Sequence, residues 1–292
     1  MKFSFDSFID GSFDYDCETK THGCIWLREE KMDISGGKIT VADIDKLKFY
    51  PDADIVTISG LRQDTFEYFI GTYGKQLKAI RLFKNKFIED LSPLGTLPQL
   101  EYIYLSLNQR AASLWEMTNN ISLTGLCIED FSRLSSIKEV KTAPSLRDFR
   151  IGNTAYKKAV INSLMQLAGM KLEKLSFNGS AIEDNDLSFL AKLPRLKIFD
   201  FPTNVFTTEQ VAWIAANFPQ LEGFAIDAKR DCSLFESNEN LVLVPGTIIV
   251  GKRKPALIIK GNEAKIERYI SAFNKLKQRY KGVSYYDAFF RQ

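Results

Sequence analysis

Apolar and polar residues alternate along this chain on two scales. On the short scale, "LKAIRLFKN" (Leu77–Asn85) and "LEYIYLSLN" (Leu100–Asn108) both read Leu-x-x-apolar-x-Leu-x-x-Asn. The fourth and sixth positions are two apart, the spacing of a strand that buries one face. On the long scale the whole pattern recurs. Its sixth position falls at Ile58, Leu82, Leu105, Ile128, Ile151, Phe177, Phe201 and Ile226, at intervals of 24, 23, 23, 23, 26, 24 and 25 residues. Eight near-even copies predict eight short strands stacked in parallel, each followed by a return segment.

The returns carry a weaker pattern. "DLSPLGTLPQL" (Asp90–Leu100) aligns with "DIDKLKFYPDA" (Asp43–Ala53), which predicts one more copy from about Glu29 with Met32–Ile34 as its strand. "TAYKKAVINSLMQLAGM" puts Val160, Ile161, Leu164, Met165, Leu167 and Ala168 on one helical face and predicts a helical return. "TTEQVAWIAANFPQL" opens on a Thr207-x-x-Gln210 capping box and stops before Pro219, which predicts another.

The period and these residues resemble the leucine-rich repeat family over about residues 30–230. In the first half "NKFIEDLSPLGTLPQL" (Asn85–Leu100) is similar to the bacterial, internalin-like repeat, and the helical returns of the second half are similar to ribonuclease-inhibitor repeats. The resemblance implies an α/β leucine-rich-repeat solenoid, a right-handed horseshoe. A parallel β-sheet would line its concave face, with helices and turns on the convex face and caps at both ends. Curvature should increase where the returns are helical. In each copy the first, fourth and sixth positions would point into a shared core, and the third, fifth and seventh outwards on the concave side. An inward Asn at the ninth position would hydrogen-bond the turn that follows the strand, which is expected of Asn85, Asn108 and Asn204. Asn153 sits one place early, and Leu61, Phe131, Ser180 and Lys229 replace Asn elsewhere.

A stack of repeats exposes its core at both ends unless capped. The expected organisation is an N-terminal cap over residues 1–28, about nine repeats over 29–230 and a C-terminal cap over 231–292. Phe3, Phe5, Phe8, Ile25 and Trp26 would cover the first repeat. Beyond Ile226 the pattern dissolves. "TIIVG" follows about one period later, so Ile248–Val250 is expected to extend the sheet. A helix follows, with Ile266, Tyr269, Ile270, Phe273, Leu276 and Tyr280 on one face and Gly282 at its end, and the aromatic tail "VSYYDAFFRQ" is expected to pack back on it.

Composition narrows the function classes. With 45% hydrophobic and 26% charged residues the chain has a soluble globular composition. No run approaches the ~20 apolar residues of a membrane span. The N-terminus has neither the basic start nor the apolar core of a signal peptide, so a cytoplasmic location is expected. A net charge of +3 does not call for a nucleic-acid partner of the whole chain. The charge is uneven, however: residues 251–281 hold ten Lys/Arg against Glu263 and Glu267. This stretch reads either as an anion-binding patch for nucleic acid or membrane, or as a cap helix whose polar face is basic.

Candidate chemistry is sparse. "CETKTHGC" offers Cys17, His22 and Cys24, but the spacing matches no common zinc module and His22 is the only histidine, so no metal site is expected. There is no phosphate loop, and neighbouring acids such as Glu129–Asp130 and Glu183–Asp184 fit loop and cap roles. No catalytic residue, cofactor or small-molecule substrate is expected. The concave columns instead gather Arg81, Phe83, Tyr102 and Tyr104 on adjacent strands, with Asp148 and Arg150 further along. Tyr and Arg combine large contact area with hydrogen bonding, which makes this patch the candidate site for a protein partner. The competing reading is that these side chains pack on one another or under a terminal segment. Fifth-column residues are expected to face solvent. An intracellular inhibitor or immunity-type protein, blocking an enzyme through the same face, is the alternative function.

Overall fold

Eight short strands lie side by side in chain order, all parallel, in one sheet. They are β1 (Gly23–Leu27), β2 (Ala53–Ile58), β3 (Ala79–Phe83), β4 (Tyr102–Asn108), β5 (Gly125–Phe131), β6 (Asp148–Gly152), β8 (Lys174–Asn178) and β10 (Ile198–Asp200). Between the last three, the two-residue strands β7 (Val160–Ile161) and β9 (Ala181–Ile182) pair with each other outside the main sheet. The structure, a computed structural model, describes residues 4–10, 23–28, 36–153, 160–236 and 242–291.

The register follows the repeat. Ile55, Ala79, Tyr102, Gly125, Asp148, Lys174 and Ile198 are paired in one row across the sheet, and Thr57, Arg81, Tyr104, Cys127, Arg150, Ser176 and Asp200 in another. On the opposite face the fourth positions Val56, Ile80, Ile103, Leu126, Phe149, Leu175 and Phe199 have no exposed surface. A one-residue slip would move this whole row to the other side, so the burial of seven large side chains fixes the register.

The returns cover that apolar face. They comprise α2 (Val41–Ile44), α3 (Gln63–Tyr73), α4 (Thr208–Asn217) and 3-10 turns at Ser92–Thr96, Lys138–Thr142, Leu164–Leu167 and Ser188–Lys192. Contrary to the sequence expectation, the longest helical return lies in the first half. The segment expected to be helical is otherwise built: residues 154–159 lie outside the described residues, β-branched Val160 and Ile161 form β7, and Ser163 caps the short 3-10 turn by accepting from the Met165 N–H. Thr207 and Gln210 do form a reciprocal capping box at the start of α4. The strand beside β2 is β1, whereas Met32–Ile34 lies outside the described residues.

Turns after the strands repeat as well. Gly60, Lys84, Leu107 and Asp130, all at the eighth position, take positive φ of 78°, 56°, 59° and 56°. This left-handed residue swings the ninth position inwards. Asn85 Nδ2 donates to the Ile58 carbonyl (3.0 Å) and its Oδ1 accepts from the Leu61 N–H (2.8 Å). Asn108 likewise donates to the carbonyls of Asn85 and Ile88 and accepts from the N–H groups of Arg110 and Ala111. Asn204 does not join them. Pro202 has no N–H to continue the ladder, so β10 ends at Asp200 and Asn204 is exposed.

At the far end the repeat loses its strand. Glu222 makes a single bridge to Ile198, and Asp200 Oδ1 accepts from the Phe224 N–H (3.0 Å) in place of a ladder bond. Leu221 and Ile226 stay buried, but Phe224 is turned out to 48% exposure. Ile248 and Ile249 do not extend the parallel sheet. They belong to the central strand of a separate antiparallel sheet, β11 (Lys229–Phe235), β12 (Leu243–Ile249) and β13 (Ala256–Ile258). Helix α5 (Glu263–Tyr280) packs on α4, burying Ile266, Phe273 and Tyr280. The tail forms α6 (Tyr285–Phe289), whose Tyr285 ring lies 4.9 Å from Trp213 and whose hydroxyl donates to the Asn185 carbonyl. No helix among the described residues is long and apolar enough to cross a membrane.

Candidate functional site

The other face of the sheet, away from the returns, carries the third, fifth and seventh columns. Five of the six candidate residues come together there under a structure the repeat pattern does not contain. A six-residue helix, α1 (Phe5–Asp10), lies across β3–β8. Ser4 and Ser7 bond each other's backbone N–H groups and start the helix. Phe5 and Phe8, three apart, then leave on one side. So short a helix is marginal by itself and is held by what it touches.

Those contacts define the site. Phe5 sits over Gly125, where a Cβ would come within 2.5 Å of its ring. Tyr102 lies 5.4 Å from Phe5 and 6.0 Å from Phe8, centroid to centroid. The Arg81 guanidinium stands 5.2 Å from the Phe8 ring and 5.5 Å from Tyr104, and it donates to the Ile9 carbonyl (3.3 Å). Arg150 donates to both oxygens of Asp148 and to Asp6, and lies over the Phe5 ring at 4.9 Å. Lys174 makes a second ion pair with Asp6 at 3.3 Å. Tyr104 donates to Glu129 Oε2 (2.9 Å). Phe83 is outside this cluster and 36% exposed.

The fifth column does not face solvent as the sequence suggested. Thr57 is 2%, Arg81 7% and Cys127 1% exposed, because side chains aimed away from the core meet α1 and their neighbours instead of water. The electrostatics follow the burial. Burial, then the Glu129 carboxylate, pushes the Tyr104 phenol well above the usual range. Burial also raises the Cys127 thiol, which stays neutral. Burial opposes the Arg150 charge, yet Asp148 and Asp6 outweigh it and hold the guanidinium above its usual value. Burial would raise the Asp6 carboxyl, but Arg150 and Lys174 leave it below the usual carboxylate range. Asp6 and Arg150 are therefore both ionised near neutral pH.

Two recesses flank it. One is a cavity of about 350 Å³ beside α1, along β1–β4, with Trp26, Thr57, Arg81 and Tyr104 in its wall and Arg28 and Lys84 at its edge. The other is an open, apolar cleft of about 330 Å³ over β8 and β10, lined by Ser176, Phe177, Asp200, Phe201 and Phe224. Trp26, Thr57, Lys174 and Asp6 were not identified as site residues from the sequence. The only local signal was the Phe-x-x-Phe spacing of "FDSF", which specifies a face but not what it meets. Among the described residues no group of three or more His, Cys, Asp or Glu side chains is placed to hold a metal; Cys17 and His22 lie outside them. No protein-family model matches the chain, and no curated protein is significantly similar to it.

Proposed function

We propose that the chain is a leucine-rich-repeat solenoid that binds a protein partner through the concave face of its sheet, in the cytoplasm and without catalysis. The observation that carries this reading is the contact between α1 and the patch. Arg81, Tyr102, Tyr104 and Arg150 hold a short amphipathic helix through ring contacts, a carbonyl and a carboxylate. A partner helix with an apolar face and an acidic residue would be recognised by the same groups, either in place of α1 or alongside it. The parallel register and the inward Asn85 and Asn108 support the repeat assignment. The test is calorimetry with a partner captured from native lysate. Tyr104→Ala is expected to cost about 2 kcal/mol, a thirtyfold weakening, and Asp200→Ala less than about 1 kcal/mol. The reverse ranking would move the site to the open cleft and favour an enzyme-inhibitor role.

A second reading has its own observation. Lys265, Arg268, Lys275 and Arg279 of α5 are exposed, and among the described residues none forms an ion pair with a carboxylate. A salt-dependent delay on heparin or RNA, lost when these four become Gln, would assign α5 an anionic partner.

A further inference from the structure

The cavity beside α1 has a composition that protein recognition does not require. Its wall follows the fifth column across four strands, Trp26–Thr57–Arg81–Tyr104, in register. Thr57, the small residue of this row, is 2% exposed, and the Arg81 guanidinium reaches past it to 6.0 Å from the Trp26 ring.

The rim is cationic. Arg28 stacks on Trp26 at 4.1 Å and Lys84 reaches over Phe83 at 5.2 Å, and neither has a carboxylate partner among the described residues. No Asp or Glu among the described residues lines the cavity. A guanidinium stacked on an aromatic face keeps its in-plane N–H donors free for an anion. About 350 Å³ is within the range of small-molecule sites, which combine aromatic walls with a few polar groups.

We propose that this cavity binds a small organic anion built on a flat ring. The ring lies in the cavity against Trp26 and Tyr104. The carboxylate or phosphate sits at the rim between Arg28 and Lys84. The cavity shares Arg81 and Tyr104 with the protein-binding patch, so the test variants are placed at Arg28 and Lys84, outside that patch.

The full chain is titrated by calorimetry with 1-naphthoate, 1-naphthyl phosphate and neutral 1-naphthamide. At least one anion is expected to bind more tightly than about 1 mM and about tenfold more tightly than the amide. Comparing the two anions distinguishes carboxylate from phosphate recognition. Arg28→Leu and Lys84→Met are each expected to weaken the anion about tenfold and leave the amide unchanged. Lys192→Met, an exposed cation on the 3-10 turn Ser188–Lys192, should change nothing. Equal binding of amide and anion would overturn the proposal, as would no binding of any probe at about 10 mM. Weakening by Lys192→Met but not by Arg28→Leu would overturn it too.

Discussion

The two ends of the sheet's outward face share one column pattern and end up in opposite environments. Over β2–β5, the fifth-column residues Thr57, Arg81 and Cys127 are buried. Over β8 and β10, Ser176 and Asp200 of the same column border an open cleft. Strand alternation decides which side of the sheet a residue takes, and it says nothing of what lies on that side. At Arg81 and Cys127 the difference is made by α1, delivered from far away in sequence.

The largest effects should ignore this contrast, because the core behind the sheet is continuous. Phe149→Ala, behind the covered half, and Phe199→Ala, behind the open half, are each expected to cost about 3–5 kcal/mol in urea unfolding. A small loss at either position would mean that the core is not shared. The next effect should separate the halves. Gly125→Val places side-chain atoms where the Phe5 ring lies and is expected to cost about 1–3 kcal/mol while freeing the N-terminus to limited proteolysis. Ser176→Val, on an outward strand position in the open half, should stay within about 0.5 kcal/mol. Equal losses would show that α1 contributes nothing. Arg81→Ala removes a 7%-exposed cation and its bond to the Ile9 carbonyl, for an expected loss of about 1–3 kcal/mol, against about 0.5 kcal/mol or less for Ser176→Ala.

The smallest effect is that of pH. Asp6 is depressed in the folded chain, so its ion pairs stabilise α1 above its unfolded pKa of about 3.9 and are lost as pH falls through the lower folded value. The carboxylate is 68% exposed, and solvent screens it. Protection of the N-terminus from an acid-active protease should therefore fall as pH drops below about 4 in the wild type. In Asp6→Asn it should be weaker and level over that range; an identical acid profile in the variant would remove Asp6 from the account.

The rows of the sheet were legible because periodicity constrains them heavily. Each copy has three inward positions, and Leu105 or Ile128 cannot face outwards without taking a whole repeat with it. Asn85 and Asn108 were legible for the same reason. Residues outside the period were not. Val160 and Ile161 fit a helical face as well as a strand, and pairing with Ala181 and Ile182 decided between them. Pro202 and Asn204 lie within a good copy, but a missing N–H ended its strand. Arg81, Tyr102, Tyr104, Asp148 and Arg150 lie on one face of the sheet, as their columns require. A terminal segment was one cover the sequence allowed for them, but it could not say that Phe5, Phe8 and Asp6 would supply it, because no local pattern records a contact between residues so far apart in the chain.

That separation has a consequence for how the chain is made. Asp6 meets Arg150 across 144 residues and Lys174 across 168. Helix α1 therefore leaves the ribosome long before its docking surface exists. At about 5–20 residues per second the wait is roughly 10–30 s. During this interval Phe5 and Phe8 are exposed beside a growing stack that still lacks its cover. Strands β2–β5 can add one by one as they emerge, each on its predecessor, but the seat for α1 is complete only with β6 and β8. Helix α1 is made well before the surface it docks on.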